Sequence, residues 1–266
     1  MADLAAAPTP NVPALDLFSL KGKNALVTGG SRGIGAAMAH ALADAGASLC
    51  LAQRDVNNTV TADAIRAKGT RVEIVHCDLT SMEDVKGVFQ KALDVMDDRV
   101  DILINCGGLL KRKETVLVSE EEWNSVLDVN LKALFFICQS AGQHMIPRKT
   151  GKIVNVASIN SFIGGEIVAS YSASKGAVAQ LTKALSNEWA KHNIQVNAIA
   201  PGSIATDMNT ELRSDPQQFA NRIARCPAGR WGAPADFAGP TLFLCSSASQ
   251  YVTGEVLVVD GGCMGR

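Results

Sequence analysis

The chain has 266 residues, of which 47% are hydrophobic and 5% aromatic, with 23 glycines and a formal net charge of −1. That length fits one large α/β domain, and so apolar a composition excludes a disordered chain. The near-neutral balance, with no run of basic residues, excludes the electrostatic footprint of a nucleic-acid binder or an anionic-membrane binder and leaves small molecules as the expected partners.

Residues 1–20 read as an N-terminal extension to a domain over 21–266. Pro8, Pro10 and Pro13 interrupt it and no basic segment opens it, so it lacks the pattern of a secretory signal. No apolar run reaches the length that spans a bilayer, and the expected location is the cytoplasm. The seven cysteines, Cys50, Cys77, Cys106, Cys138, Cys226, Cys245 and Cys263, are widely spaced and form no C-x-x-C pair. They read as reduced core thiols, with no disulfide framework and no metal site.

The first expected strand covers residues 24–28. Thr28-Gly29-Gly30-Ser31-Arg32-Gly33-Ile34-Gly35 follows it and leads into a helix over 35–45, which Gly46 ends at the C′ position. Glycines let the backbone turn sharply and approach a pyrophosphate, while the helix N-terminus offers unpaired N–H donors and a positive dipole end. The segment Gly29–Gly33 also satisfies the G-x-S-x-G pattern of a hydrolase nucleophile elbow, with Ser31 as the nucleophile. An elbow normally follows several earlier strands, whereas this one follows the first, so the phosphate-loop reading is preferred.

A second strand over 48–52 ends at Gln53-Arg54-Asp55, the place where an acidic residue favours NAD and a basic one accommodates the extra phosphate of NADP. Neutral Gln53, followed by Arg54 and joined by Arg32 from the glycine loop, favours NADP(H). Strands over 71–76 and 100–105 come next. The second of these is followed by Cys106-Gly107-Gly108 and the basic stretch Leu110-Lys111-Arg112-Lys113. Ser119 and Glu122 form a capping box that opens one long helix through Trp123 and Phe136.

A strand over 152–157 delivers Ser158 to the carboxyl edge of the sheet. The next helix begins at Tyr171 and runs to about His192, with Tyr171 and Lys175 one turn apart on the same face. A cation so close is expected to lower the phenol's pKa from its ordinary value near 10, which suits acid and base work near neutrality. A Ser158 hydroxyl nearby can polarise a reacting oxygen. Strands over 195–200 and 256–259 complete a count of seven. Between them, residues 202–231 mix Pro, Gly, Asp and Arg and read as a substrate lid. The βα alternation with near-continuous apolar strands predicts a doubly wound Rossmann-type α/β domain with a seven-stranded parallel sheet and helices on both faces.

Taken in order, these motifs resemble the short-chain dehydrogenase/reductase family over nearly the whole chain. The resemblance rests on Thr28–Gly35, Asp78, Asn105-Cys106-Gly107-Gly108, Asn130, Ser158, Tyr171, Lys175, Pro201-Gly202 with Thr206, and Val259-Asp260-Gly261-Gly262. It implies that Tyr171 is the general acid/base, that Lys175 holds the nicotinamide ribose and lowers the tyrosine pKa, that Ser158 orients the carbonyl, and that Asn130 supports a proton path. It further implies a cofactor site formed by Gly29, Ser31, Arg32, Gly33, Ile34, Gly35, Gln53, Arg54, Asp78, Leu79, Asn105, Gly107, Tyr171, Lys175, Pro201, Gly202, Ile204 and Thr206. Cys106 departs from the Asn-Ala-Gly that relatives often carry, but it keeps the site's small residues.

Within the family, residues 187–194, 227–232 and 246–249 are similar to the branch of sugar-acid dehydrogenases acting on 3-deoxy-2-keto-gluconate or 2-deoxygluconate. The substrate implied is a keto sugar acid or related sugar, and Lys111 or Arg112 is a candidate for its carboxylate. An NADPH-dependent ketose or polyol reductase, a secondary-metabolite ketoreductase, and a non-catalytic nucleotide-binding scaffold remain the alternatives. The family implies a homotetramer, and apolar helices around Ala133 and Ala177 fit such packing.

Overall fold

The aliphatic and β-branched runs form seven strands: β1 (Asn24–Thr28), β2 (Ser48–Gln53), β3 (Val72–His76), β4 (Ile102–Asn105), β5 (Gly151–Val156), β6 (Ile194–Pro201) and β7 (Val256–Val259). In the computed structural model, which describes residues 8–265, they pair into one all-parallel sheet in the order β3-β2-β1-β4-β5-β6-β7. Strands β4, β5 and β6 are buried along their whole length, which requires cover on both faces.

Among the described residues, nine α-helices supply that cover and the sheet's carboxyl edge: α1 (Gly33–Asp44), α2 (Val60–Arg66), α3 (Met82–Val95), α4 (Glu120–Leu127), α5 (Ala133–Arg148), α6 (Ala169–Trp189), α7 (Thr210–Ser214), α8 (Pro216–Ala224) and α9 (Ala238–Cys245). Leu26, Phe89, Ile137, Trp189 and Val196 belong to the core on the α3, α5 and α6 side. Val27, Met38, Leu42, Ile104, Phe237 and Leu244 belong to the core on the α1 and α9 side. Strand order reverses between β1 and β4, and in such a sheet the crevice beyond the carboxyl ends at that point is where ligands bind.

The expected long helix from Ser119 is not continuous. The capping box is present, but α4 ends at Leu127 and a π-turn over Asp128–Lys132 separates it from α5. The π-turn accommodates one extra residue, and it carries Asn130 with its side chain committed to the backbone of Leu109. The 202–231 stretch has more regular structure than its composition suggests: a 3₁₀ turn over Asp207–Asn209 precedes α7 and α8, and Asp215 caps α8 through its side chain. Residues 1–7 of the expected N-terminal extension lie outside the described residues. Further along it, Leu20 is buried and its N–H donates to the Ala45 carbonyl.

Cys50, Cys77, Cys138 and Cys245 are buried and free, whereas Cys106, Cys226 and Cys263 are half-buried. No helix among the described residues is long and apolar enough to cross a membrane.

Lys152 on β5 is a buried cation whose Nζ, among the described residues, reaches the Ser249 carbonyl and hydroxyl, each at 3.4 Å. Burial pushes it down to about 8 from an ordinary 10.5. The unfolded chain therefore holds the extra proton between pH 8 and 10.5, so the cost of this lysine is full below pH 8 and fades as pH rises through that window. Lys152→Met is expected to raise stability at pH 7 by on the order of 2 kcal/mol, several degrees in melting temperature, with the gain shrinking towards pH 10. A thermal melt of both proteins at pH 7 and pH 10 checks it; an equal difference at the two values contradicts the assignment.

Candidate active site

β1 ends at Thr28 and the chain turns through Gly29, which has a φ of +67°. A Cβ at Gly29 would lie 2.8 Å from the backbone of Gly107, and one at Gly35 would run into the Gly29 carbonyl. These glycines hold two loops and the start of α1 closer together than any side chain permits, leaving bare backbone at a helix N-terminus. Thr61 of α2, buried, donates its hydroxyl to the Ser31 carbonyl and fixes the loop from behind. The cradle fits the pyrophosphate of a dinucleotide.

The other predicted cofactor residues fall into two groups. Asp78, Leu79 and Gly107 meet at the carboxyl edge: Asp78 accepts from the Thr80 N–H and hydroxyl, and Leu79 lies against Gly107. Those bonds hold the Asp78 carboxyl below its ordinary value. Pro201 ends β6, and Gly202 donates to the Val259 carbonyl at 3.0 Å. Thr206 lies beside Gly33, whose Cβ would sit 3.4 Å from Thr206 Cγ2. Buried Ile204 bridges to Gly232, and its carbonyl accepts from Thr206 and Asn209. Two residues turn inward instead. Gln53 spends Nε2 on the carbonyls of Asp55 and Asn58, and Asn105 spends Nδ2 on Asn155 and Cys138. At the end of β2 it is therefore Arg54, exposed, that presents a cation near Asp78.

Ser158, Tyr171, Lys175 and Asn130 converge beyond β5. Ser158 acts on the Tyr171 phenol and favours its ionised form, while Ser158 Oγ accepts the Asn160 N–H at 3.1 Å. Lys175 Nζ lies 5.6 Å from the Tyr171 ring centroid and donates to the Val156 carbonyl at 2.6 Å. Asn130 takes the Leu109 N–H at 2.7 Å, gives to the Leu109 carbonyl at 2.9 Å and gives to Ser174 Oγ at 3.0 Å. Ser174 in turn donates to the Tyr171 carbonyl. Asn130 thus clamps the loop after β4 to the first turns of α6. Ser174, fully buried, is a member of the cluster that reasoning on sequence missed; its position next to Lys175 was the available signal.

The electrostatics differ from the expectation that Lys175 lowers the phenol's pKa. Burial raises Tyr171 above its ordinary value; Ser158 and, less strongly, the Arg112 charge pull it down, and Cys106 adds to the rise. Burial also pushes Lys175 down to about 8. The guanidinium acting on the phenol is that of half-buried Arg112, which donates to the Met208 carbonyl at 3.2 Å and to Asn209 Oδ1 at 2.9 Å. A second arginine reaches the same 3₁₀ turn: Arg32 Nη1 lies 3.1 Å from Asp207 Oδ2. No sequence pattern announces a pair so far apart in the chain. Among the described residues no cluster of His, Cys, Asp and Glu is arranged to hold a metal ion.

A family profile described as enoyl-(acyl carrier protein) reductase matches residues 29–264. The chain is 44% identical over 253 residues to 2-dehydro-3-deoxy-D-gluconate 5-dehydrogenase of Escherichia coli, spanning 95% of this chain and 99% of that one. It is 41% identical to gluconate 5-dehydrogenase of Gluconobacter oxydans over 93% of this chain and 96% of that protein. A crystal structure of a gluconate 5-dehydrogenase from Burkholderia cenocepacia, in complex with NADP and tartrate, superposes with a TM-score of 0.91 at 35% identity and covers 96% of this chain and all of that one, 100%.

Proposed function

Because the chain belongs to the short-chain dehydrogenase/reductase family, we propose that it interconverts a ketone and a secondary alcohol on a keto sugar acid with NADP(H). The observation that carries the reading is the convergence of Ser158, Tyr171, Lys175 and Asn130 at the carboxyl edge, with Lys175 Nζ 5.6 Å from the Tyr171 ring and the loop glycine Gly108 against Asn130 and Lys175. Names of sugar-acid dehydrogenases among the relatives, and NADP in a similar structure, support the substrate class and the cofactor.

When bound, NADP(H) supplies or accepts the hydride. Gly29, Gly33, Ile34 and Gly35, with the α1 N-terminus, would hold its pyrophosphate, and Arg32 and Arg54 its 2′-phosphate. Ser158 donates to the reacting oxygen and holds it near Tyr171. Tyr171 then gives that oxygen its proton in reduction, or takes it in oxidation. Lys175, fixed by the Val156 carbonyl, keeps further N–H donors for ribose hydroxyls. Arg112 offers a planar two-point contact to the substrate carboxylate. Residues 202–231 serve as the lid, since Thr206 already lies against Gly33 and the 3₁₀ turn that follows it holds Arg112.

The reading extends to a cytoplasmic homotetramer: half-buried thiols suit a reducing compartment, and Trp123 and Phe135 expose apolar surface along α4 and α5.

The test follows NADPH absorbance with keto sugar acids, ketoses and cyclic ketones as substrates. Turnover is expected with the keto acids. Arg112→Ala should raise KM for the acid about tenfold or more, while KM for a neutral ketose moves less than twofold. An unchanged KM for the acid removes Arg112 from carboxylate binding.

A further inference from the structure

Arg32 leaves the phosphate loop from an extended backbone at the N-cap of α1, with no capping bond from its side chain. Its guanidinium crosses to the 3₁₀ turn over Asp207–Asn209 and pairs with Asp207 through Nη1 alone. The two side chains are 75% and 74% exposed, so the pair stands in water over the groove rather than in the core. Contact between Thr206 and Gly33 brings the root of the 202–231 excursion directly onto the loop that carries Arg32. The carboxylate is therefore held beside the very cation that a 2′-phosphate would need.

We propose that Asp207 is a coenzyme-selectivity residue: it competes with the 2′-phosphate of NADP(H) for Arg32 and weakens discrimination against NAD(H). The proposal rests on the reading that Arg32 binds that phosphate. A dianionic phosphate must either displace the carboxylate from Nη1 or share the guanidinium with it. In the first case the ion pair is lost on binding, and in the second two anions repel across one cation. Either way the cost falls on NADP(H) alone, because NAD(H) carries a 2′-hydroxyl at that point and leaves the pair intact. An exposed ion pair is weak, so the expected effect is modest and sensitive to salt.

The experiment titrates the purified full chain with NADPH and with NADH, following coenzyme fluorescence at low and high salt, for the parent, Asp207→Asn, Asp207→Ser, Arg32→Ala and the Arg32→Ala/Asp207→Asn double variant. Asp207 is an exposed residue on a surface turn, so two dissimilar replacements there keep the test open should one fold poorly. Both Asp207 variants are expected to tighten NADPH about two- to fivefold at low salt and to leave NADH unchanged, with the gain gone at high salt. In the Arg32→Ala background the Asp207 substitution should give no gain. Equal shifts for the two coenzymes, or none, overturn the proposal while leaving the Arg32 reading intact, provided Arg32→Ala weakens NADPH selectively. If Arg32→Ala leaves the NADPH to NADH ratio unchanged, the underlying reading has failed and the proposal falls with it.

Discussion

Tyr171→Phe is expected to lower kcat by about 10²- to 10⁴-fold, the span that a positioned proton donor contributes, while NADPH affinity stays within twofold. Phenylalanine keeps the ring under Lys175 and removes only the phenolic hydroxyl. Burial raises this phenol above its ordinary value, so at neutral pH it carries its proton and is set to donate. Ketone reduction should accordingly hold steady through neutral pH and fall once the phenol ionises. Alcohol oxidation, which needs the phenolate, should climb with pH across the same range. Steady-state rates in both directions, with coenzyme fluorescence as the binding control, check the set. A variant retaining more than about a tenth of the parent kcat shows that another group delivers the proton, since the loss would fall short of that span.

Gly35→Ala carries the other large effect, and it acts through backbone. The new Cβ would meet the Gly29 carbonyl oxygen, stand 2.9 Å from the Gly29 carbonyl carbon and touch Cys106 Sγ at 3.3 Å. The two nearest atoms are backbone and cannot rotate away, so the loop itself must move off the helix N-terminus. A shift of about 1 Å at such a site costs on the order of 10²-fold, and the Kd for NADPH should rise by about that factor. Gly239→Ala is the matched control: it lies in α9, exposed, with nothing near its Cβ position. It should bind NADPH normally and melt at the same temperature or slightly higher. Normal NADPH affinity in Gly35→Ala would mean that the pyrophosphate sits elsewhere.

The strands were legible because burial on both faces writes itself as a contiguous aliphatic run. Residues 24–28 and 256–259 were placed to the residue, and β5 and β6 within one position of the expectation. Glycines 29, 33 and 35 were legible for a related reason, since a close approach of backbone needs a residue with no side chain. The break between α4 and α5 was not legible: Asp128-Val129-Asn130-Leu131-Lys132 has the composition of ordinary helix, and a π-turn has no residue signature of its own. Nor was the direction of Gln53. Polar side chains at strand ends are read as facing ligand, yet this one closes the turn to Asn58, a bond decided by the path of the next loop. The sign of the Tyr171 shift was not legible either: a cation one turn away on the helix suggests a lowered phenol, whereas burial, which only the fold creates, raises it and outweighs the smaller pull of Arg112.

The π-turn sets a condition on length. Successive α-helical residues advance by about 100°, so one additional residue offsets the angular frame of α5 from that of α4 by that amount. Removing any single residue from 128–132 would merge the two helices into one straight rod. Either the Trp123 side or the Ala141 side would then lose its bearing on the molecule, and the Leu109 loop would lose the amide that clamps it. Every amino acid in the segment could be exchanged without revealing this, because what matters there is how many residues it contains.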